Sequence, residues 1–331
     1  MSQFFPTGGY SETSGGYKVG DTIAGDRLSK KYTVGTEIWT KGIPHYNEAL
    51  AFDGTNLFVG MINNYSEGPI LIRLAEKDGT ITEIMTAADT SVSAVAVDSQ
   101  YIYVGITATN NTYYIKKLSR TDNTEIWSVS ATAETRSIQL DNADLYVANH
   151  NANGNAVKRL SKIDGSEIWS LSSISNANCI YLYGDYAFVG TNNSTLKLQK
   201  STGSVVWNIS STNAYVYGIY VDKNGDVGIA RYSDASGPAF LEKLSGKDGA
   251  TLWYNSAIKK AYSLSIDSFG NFYAGTSSGV YKVSGTNGTI LWSNSVENTN
   301  CVILGNDHSI YTASSQQVNK LFASDIFSID S

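Results

Sequence analysis

The stretch Asp164-Gly165-Ser166-Glu167-Ile168-Trp169 decides the fold, because similar stretches recur along the whole chain. Each is a polar turn followed by a short strand, and all six tryptophans of the protein end such a stretch. From Trp39 to Trp292 the chain advances 253 residues in six intervals. An interval of about 42 residues is typical of a four-stranded propeller blade. A further copy, Asp78 to Met85, has methionine in place of tryptophan, and the remaining copies span residues 35–39, 122–127, 202–207, 248–253 and 287–292.

Two other patterns keep the same spacing. An apolar strand ends at a short polar turn and is followed by an aromatic strand, as in Phe52-Asp53-Gly54 and then Phe58-Val59-Gly60, which is typical of a β-hairpin.

A basic residue also precedes an aliphatic one in every repeat. Since neighbours in a strand face opposite sides, we expect the aliphatic residue to pack and the basic residue to lie on a solvated face, with an anion-binding ring of cations as the alternative. The pairs are Arg73-Leu74, Lys117-Leu118, Arg159-Leu160, Lys197-Leu198, Lys243-Leu244, Lys282-Val283 and Lys320-Leu321.

These patterns predict an all-β fold, a seven-bladed β-propeller of four-stranded antiparallel blades over residues 36–331. A single blade exposes two apolar faces, so the blades must pack against one another. The last repeat lacks a tryptophan strand, and we expect Thr36–Trp39 to close the ring by pairing beside Gln317–Phe322. Residues 27–30 also resemble the third strand of a blade, and we assign them to the segment before the propeller.

Residues 1–35 are the predicted flexible N-terminal arm. They mix glycine with aromatic residues and show no period, so they lack the apolar surface that would order them. The arm is either a disordered tail or a docking segment that attaches the propeller to a neighbouring protein or joins copies of the chain. The candidate docking residues are Phe4, Phe5, Tyr10 and Tyr17.

The composition narrows the range of partners. Charged residues make up only 16%, the net charge is -6, and no basic block occurs, which argues against a nucleic-acid partner. The first residues have neither the basic nor the apolar region of a signal peptide, and no run is long enough to cross a bilayer, so we expect neither export nor membrane insertion. Cys179 and Cys301 fall in repeats that are not neighbours, so we expect two unpaired thiols and a reducing compartment.

No group of residues predicts catalysis. His45, His150 and His308 lie in different repeats, without metal-ligand spacing or a nucleophile motif. We therefore expect a protein that is not an enzyme and uses no metal or cofactor. The longest loops are rich in asparagine and tyrosine, which suits adaptable hydrogen bonding to a partner or a sugar, unless these loops have drifted without selection. The candidate partner-binding residues are Asn63, Asn64, Tyr65, His150, Asn151, Asn153, Tyr232 and Asp234.

The stretch from Leu160 to Trp169 resembles the repeat of the pyrroloquinoline-quinone-like propellers, and the resemblance covers about residues 27–331. It implies that each tryptophan docks one blade on the next. Quinone-dependent dehydrogenases of that family have eight blades, a vicinal disulfide and a bound calcium. Here Cys179 and Cys301 are not adjacent and seven repeats occur, so the catalytic residues do not carry over. Assembly factors of bacterial outer membranes share the repeat but are exported lipoproteins, and no lipobox cysteine lies near the start of this chain.

In overall style the chain resembles appendage proteins of bacteriophage virions, with an aromatic Gly-rich arm, low charge and a surface of Asn, Ser, Thr and Tyr. This resemblance implies a tail, fibre or other virion component that is assembled in the host cytoplasm, docks by its arm on other virion proteins and contacts host glycans through its long loops. The alternative is an intracellular scaffold for protein partners. A second alternative is a quinone- or magnesium-dependent enzyme that uses the propeller channel.

Overall fold

The computed structural model describes residues 35–63, 67–88, 90–150, 154–210, 214–233, 240–295, 298–305 and 309–323, together with the backbone of three strands nearer the chain ends. Within this part of the chain the regular elements are strands, apart from a 3-10 helix at Thr109–Asn111. The prediction of an all-β fold is therefore confirmed.

The three strands nearer the chain ends form a small sheet of their own. They are β1 (Thr22–Ile23), β2 (Asp26–Tyr32) and β31 (Ile326–Asp330), and β2 pairs with both of the others. Residues 27–30 thus lie in a strand that joins the two ends of the chain. The candidate docking residues Phe4, Phe5, Tyr10 and Tyr17 lie outside the described residues.

The other described strands form five antiparallel sheets of four strands and one of eight, in which β5 and β8 join two groups of four through the pairs Ile62–Ser91 and Asn63–Thr90. We number the groups of four strands as units 1 to 7. Units 1 to 4 contain β4 (Tyr46–Phe52), β5 (Asn56–Asn63), β6 (Pro69–Ala75), β7 (Ile81–Thr86); β8 (Thr90–Val97), β9 (Tyr101–Ala108), β10 (Thr112–Ser119), β11 (Glu125–Ala131); β12 (Glu134–Leu140), β13 (Asp144–His150), β14 (Val157–Ser161), β15 (Glu167–Leu171); and β16 (Ala177–Tyr183), β17 (Tyr186–Thr191), β18 (Ser194–Gln199), β19 (Val205–Ser210). Units 5 to 7 contain β20 (Tyr215–Val221), β21 (Val227–Tyr232), β22 (Leu241–Leu244), β23 (Thr251–Asn255); β24 (Ala261–Ile266), β25 (Phe272–Thr276), β26 (Gly279–Val283), β27 (Ile290–Asn294); and β28 (Thr299–Leu304), β29 (Ser309–Ser314), β30 (Gln317–Phe322) with β3 (Glu37–Gly42).

Within each unit the strands follow one another as a meander, and short turns link the first strand to the second and the third to the fourth. The two kinds of turn lie at one end of the units, which we call the turn face. The opposite end, where the second strand leaves and the first strand enters, is the loop face. This arrangement confirms the prediction of four-stranded antiparallel sheets in a propeller-like fold.

The first strands of successive units contact one another, and β28 of unit 7 also contacts β4 of unit 1. Glycine in the second strand permits this close approach. A Cβ atom on Gly105 would lie 2.7 Å from Cβ of Thr135 in unit 3, and one on Gly60 would lie 2.5 Å from the Val92 carbonyl oxygen in unit 2. The glycine that follows the aromatic strand in the sequence is therefore required by the neighbouring unit.

Tryptophan side chains hold neighbouring units together on the turn face. Trp169 Nε1 of unit 3 donates a hydrogen bond of 2.9 Å to the Lys200 carbonyl of unit 4. A half-buried indole supplies a large apolar ring and an N–H that needs an acceptor. The docking implied by the family resemblance is thus observed. Equivalent bonds of 3.1, 3.2, 3.3 and 3.1 Å link Trp39 to Glu76, Trp127 to Lys162, Trp207 to Gly246 and Trp253 to Gly285.

The prediction that the basic residues of the third strands lie on a solvated face is wrong. Lys117 is only 7% exposed, and its Nζ donates to the Lys162 carbonyl at 2.8 Å, the same oxygen that accepts from Trp127. Because units stack face to face, the side of a strand that points away from its own core points into the neighbouring unit. The same sharing of one carbonyl recurs for Arg159 with Trp169, Lys197 with Trp207, Lys243 with Trp253 and Lys320 with Trp39. The aliphatic residues are buried as predicted, namely Leu74, Leu118, Leu160, Leu198, Leu244, Val283 and Leu321.

Candidate binding site

The first strand of every unit has a break in its pairing register at the same place, close to the loop face. In β4 the pairing passes from Asn47 to Ala49 and skips Glu48, and in β12 it passes from Thr135 to Ser137 and skips Arg136. A β-bulge of this kind re-aims the side chain of the skipped residue, and bulges are common beside functional sites. We call the skipped residues the bulge ring: Glu48, Ser93, Arg136, Asn178, Tyr217, Tyr262 and Asn300.

The residue types of the bulge ring vary from unit to unit more than those of the residues that follow them in the first strands. The residue after each bulge is small in all seven units, because it lies opposite the second strand where the next unit comes close. These small residues are Ala49, Ala94, Ser137, Cys179, Gly218, Ser263 and Cys301. The backbone of the ring is therefore repeated, whereas its side chains range from carboxylate to guanidinium, amide, hydroxyl and phenol. The packing of the fold does not impose one residue type at the bulge.

Units 1 to 4 contribute a polar sector. Arg136 Nε donates to Glu134 Oε2 at 3.1 Å, and Arg136 Nη1 donates to Asn178 Oδ1 at 3.2 Å. The same Asn178 oxygen lies 3.1 Å from His150 Nδ1, and Asn178 Nδ2 donates to Asn192 Oδ1 at 3.0 Å. In unit 2 the small Ser93 donates to the Thr135 carbonyl at 2.9 Å.

The electrostatics of this sector depend on Glu48. Burial and, to a smaller extent, the Glu134 carboxylate raise the pKa of the Glu48 carboxyl to about 7, against the opposing effect of the Arg136 guanidinium. Burial and then the Arg136 charge lower the pKa of His150, so this imidazole is neutral near pH 7. With Nδ1 donating to Asn178, His150 Nε2 carries a lone pair and can accept a hydrogen bond.

Units 5 and 6 contribute a tyrosine sector. Tyr217 and Tyr262 of the bulge ring lie on either side of Tyr232, each with a ring-centroid distance of 5.5 Å. Tyr215 stacks on Tyr217 at 5.9 Å, and Lys260 Nζ lies 5.9 Å from the Tyr232 centroid. All four tyrosines are half-buried, so part of each ring faces solvent. The two sectors together place flat aromatic surfaces and planar polar groups on one face of the protein.

Comparison with known proteins identifies the family. The family model described as outer membrane protein assembly factor BamB, which is a pyrroloquinoline-quinone-like repeat model, matches residues 28–213 and residues 153–302. The chain belongs to this family. Membership confirms the repeat resemblance that the sequence indicates. Comparison with curated proteins found no match.

Solved structures share the propeller fold of this BamB-family chain. The WD40 β-propeller domain of Doa1 superposes with a TM-score of 0.70 at 12% identity, and the alignment covers 88% of this chain and 97% of that one. A chain from a Mitotic Checkpoint Complex gives 0.75 at 12% identity, covering 96% and 99%. BamB from Moraxella catarrhalis gives 0.58 at 12% identity, covering 87% and 100%. At these identities the likeness shows the fold alone.

The candidate partner-binding residues predicted from the sequence do not all lie at the same site. His150 and Tyr232 lie beside the bulge ring, in the polar and tyrosine sectors respectively. Asn63 is 1% exposed and donates to the Ala87 carbonyl at 2.8 Å, so it holds two loops together instead of facing a partner. The remaining candidates, Asn64, Tyr65, Asn151, Asn153 and Asp234, lie outside the described residues.

Sequence reasoning missed the bulge ring itself. The available signal was the small residue that recurs near the start of each first strand, opposite the glycine or alanine of the second strand. The identities of the ring residues give a weaker signal, because they have only a polar group in common and range from serine to arginine and tyrosine.

The described part of the BamB-family chain holds no group of three or more His, Cys, Asp or Glu side chains arranged for a metal ion. Within the same residues, no helix has the length and apolar character to span a membrane. Cys179 and Cys301 are both free thiols, and their sulfur atoms lie 3.5 Å from the Val216 carbonyl and 3.7 Å from the Glu48 carbonyl. Burial raises the pKa of both thiols to about 12, which leaves them protonated and unreactive near neutral pH.

Proposed function

We propose that the chain is a non-enzymatic binding propeller, in which seven blades form a closed ring and β3 supplies the fourth strand of the last blade. Three contacts between unit 7 and unit 1 support the closure. The Asn47 amide nitrogen donates to the Ser315 carbonyl at 3.0 Å, and Cys301 Sγ donates to the Glu48 carbonyl at 3.7 Å. Trp39 Nε1 in β3 donates to the Glu76 carbonyl of unit 1.

Truncation tests the closure. Removing residues 1–40 deletes most of β3 together with Trp39, so unfolding should lose cooperativity and the midpoint in urea should fall. Removing residues 1–21 leaves every described strand in place and serves as the control. Unchanged unfolding after the longer truncation would contradict a ring closed in this way.

The bulge ring is the proposed ligand site, and a saccharide is the ligand chemistry that it fits best. The observation that carries this proposal is the contrast between a backbone feature repeated seven times and side chains of five different types at those seven positions. A sugar ring has an apolar C–H face, which a tyrosine ring can cover, and hydroxyl groups that both donate and accept hydrogen bonds. The tyrosine sector supplies the flat surface, and Glu48, Asn178 and His150 supply donors and acceptors beside it.

A glycan array tests this site. Wild-type protein should bind a subset of glycans, and Tyr262→Ala should reduce that binding at least tenfold. Tyr254→Ala is the matched control, because Tyr254 lies on the fourth strand of unit 5 and is 65% exposed. Binding that is absent in the wild type, or equal in both variants, would exclude a saccharide in the bulge ring.

The biological role we propose is that of a virion component, in the tail, a fibre or another surface appendage, which docks through its N-terminal arm and presents the loop face to a host surface. Support comes from the composition of the chain and of residues 1–35. Mass spectrometry of purified particles is the decisive experiment. Deletion of residues 1–25 should then abolish incorporation into particles. A stable complex in the cytoplasm, with no protein in particles, would favour an intracellular scaffold, a role that fits the propeller fold equally.

The proposal that the protein is not an enzyme is tested with the cofactor of the related dehydrogenases. Titration with pyrroloquinoline quinone and calcium, followed by absorbance, should show no saturable binding. Stoichiometric binding would replace the proposed role with that of a quinone-dependent enzyme.

A further inference from the structure

The seam between unit 1 and unit 2 departs from a pattern that five of the seams share on the turn face. At five seams a tryptophan and a cation donate to one carbonyl of the next unit, as Trp127 and Lys117 do to Lys162. The fourth strand of unit 1 has no tryptophan: Thr82 lies opposite Arg73, where Trp127 lies opposite Lys117 in unit 2, and Met85 lies two residues farther along, opposite Leu71. The cation is Arg73, a half-buried side chain whose guanidinium makes no hydrogen bond or ion pair with any residue in the described ranges.

An open cavity of about 410 Å³ lies where this guanidinium ends. Its volume falls within the range of small-molecule sites, roughly 300–1,000 Å³. Polar groups dominate the wall: besides Arg73 it includes Arg120, Gln100 and the hydroxyl residues Ser99, Ser119 and Thr121. Guanidinium and hydroxyl groups are hydrogen-bond donors, so the cavity is built to receive an acceptor-rich group.

Of the two cations in the cavity wall, only Arg120 has a carboxylate partner among the described residues. Arg120 pairs through Nη2 with Asp53 and donates through Nη1 to the Asp98 carbonyl at 2.6 Å. The Asp53 carboxylate also accepts from the backbone nitrogens of Thr55 and Asn56. Arg120 is therefore held in place by its partners, whereas Arg73 has no hydrogen-bond or ion-pair partner among the described residues. Since no carboxylate competes for this guanidinium there, an anion that enters the cavity can form a charge-assisted hydrogen bond with it.

We infer that this cavity, which we call the seam cavity, binds a tetrahedral oxyanion, namely a phosphate group. The planar fork of Arg73 matches two phosphate oxygens, and the hydroxyls of Ser99 and Thr121 in the wall can donate to the others. The site is on the turn face and in a single seam, so it is separate from the bulge ring and does not depend on the proposed function.

The inference is tested by calorimetric titration of the full chain with inorganic phosphate, at an ionic strength held constant with potassium chloride. Saturable binding with one site is expected for the wild type. In Arg73→Met the dissociation constant should rise about tenfold or more, because a charge-assisted hydrogen bond is lost. Lys77→Met removes the same charge from the exposed turn of unit 1, outside the cavity, and should leave binding unchanged.

A parallel titration with glucose 6-phosphate identifies the source of the phosphate. Tighter binding of the ester would show that the natural ligand extends beyond the phosphate, and equal binding would point to free phosphate. Circular dichroism and the unfolding midpoint establish that Arg73→Met is folded. If neither ligand binds the wild type, or if Arg73→Met and Lys77→Met bind phosphate equally, the seam cavity is not a phosphate site.

Discussion

The indole ring of Trp169 lies against the backbone of Gly203 in the next unit, where a Cβ atom would come within 2.9 Å of the ring. Five more turn glycines face the tryptophan of the preceding unit, and the distance from the position of a Cβ atom to the indole is 2.5 Å at Gly35, 2.6 Å at Gly288, 3.1 Å at Gly165, 3.2 Å at Gly79 and 3.5 Å at Gly249. All six glycines also have positive φ. The turn following Met85, in unit 2, has Asn123 at the glycine position, with φ 62°. Glycine in the turn is thus tied to tryptophan in the preceding unit, and asparagine is tolerated where that tryptophan is absent.

Gly203→Ala should destabilise the protein more than Gly184→Ala. Both glycines have positive φ, but a Cβ atom on Gly184 would meet nothing within 4 Å. We expect a cost of about 1 kcal/mol for Gly184→Ala from the backbone alone. For Gly203→Ala the clash with Trp169 should raise the cost to about 2–4 kcal/mol. Urea unfolding measures both free-energy changes. Equal values would show that the Trp169 indole can move away from the new methyl group at no cost in stability.

Replacing Thr82 by tryptophan should help only if Asn123 becomes glycine as well. Thr82 lies opposite Arg73, as Trp127 lies opposite Lys117. In Thr82→Trp alone the new ring would meet the Asn123 side chain, so we expect no gain or a small loss of stability. In the double variant the ring can dock as at the other seams, and the two changes should couple by about 1 kcal/mol or more. A double-mutant cycle of unfolding free energies measures this coupling. Additive effects would mean that the relation between tryptophan and glycine is a coincidence of the repeat.

Lys243→Met should be strongly destabilising although the change keeps most of the side-chain volume. Lys243 Nζ lies 2.7 Å from Asp222 Oδ2, and both side chains are buried. Removal of the cation leaves a buried carboxylate without its counter-ion, at a cost of about 3–5 kcal/mol. Lys247→Met, on the exposed turn that follows, should change stability by less than about 0.5 kcal/mol. Urea unfolding at pH 7 gives the free energy of unfolding of both variants. Similar losses of stability would show that Lys243 does not stabilise the seam.

The raised pKa of Glu48, about 7 against an ordinary 4.5, makes the stability of the protein depend on pH. Between these two values the unfolded chain releases its proton while the folded protein keeps it, so stability falls as the pH rises from about 4.5 to about 7. The full effect is about 3 kcal/mol at 1.36 kcal/mol per unit of pKa. Glu48→Gln should therefore be more stable than the wild type at pH 8, with a smaller difference at pH 5.

Urea unfolding of both proteins at the two pH values measures this effect. Glu83→Gln is the control, since Glu83 lies on the exposed fourth strand of unit 1, and it should follow the wild type at both pH values. A constant difference between Glu48→Gln and the wild type would mean that Glu48 ionises as freely in the folded protein as in the unfolded chain.

The sequence by itself was enough to establish the repeat, the four strands of each unit and the burial of the aliphatic residue in each third strand. These features follow from local rules, because hydrophobic alternation, turn residues and the spacing of tryptophans act over a few residues. It also led to His150 and Tyr232, which lie beside the bulge ring, since both are at the end of a second strand where a long polar loop begins.

Only the tertiary structure decided which surfaces of a strand face water. Alternation along a strand tells which residues share a face. It does not tell that the face of the strand on which Lys117 lies is covered by the turn of unit 3. The bulge ring cannot be predicted from local sequence rules for a similar reason. A residue can be recognised as skipped only when the pairing of two strands is known, and its side chain contacts residues of other units. Arg73 is the clearest case, since the cavity beside it is lined by residues 99–101 and 119–121 of unit 2, which lie far from it in the sequence.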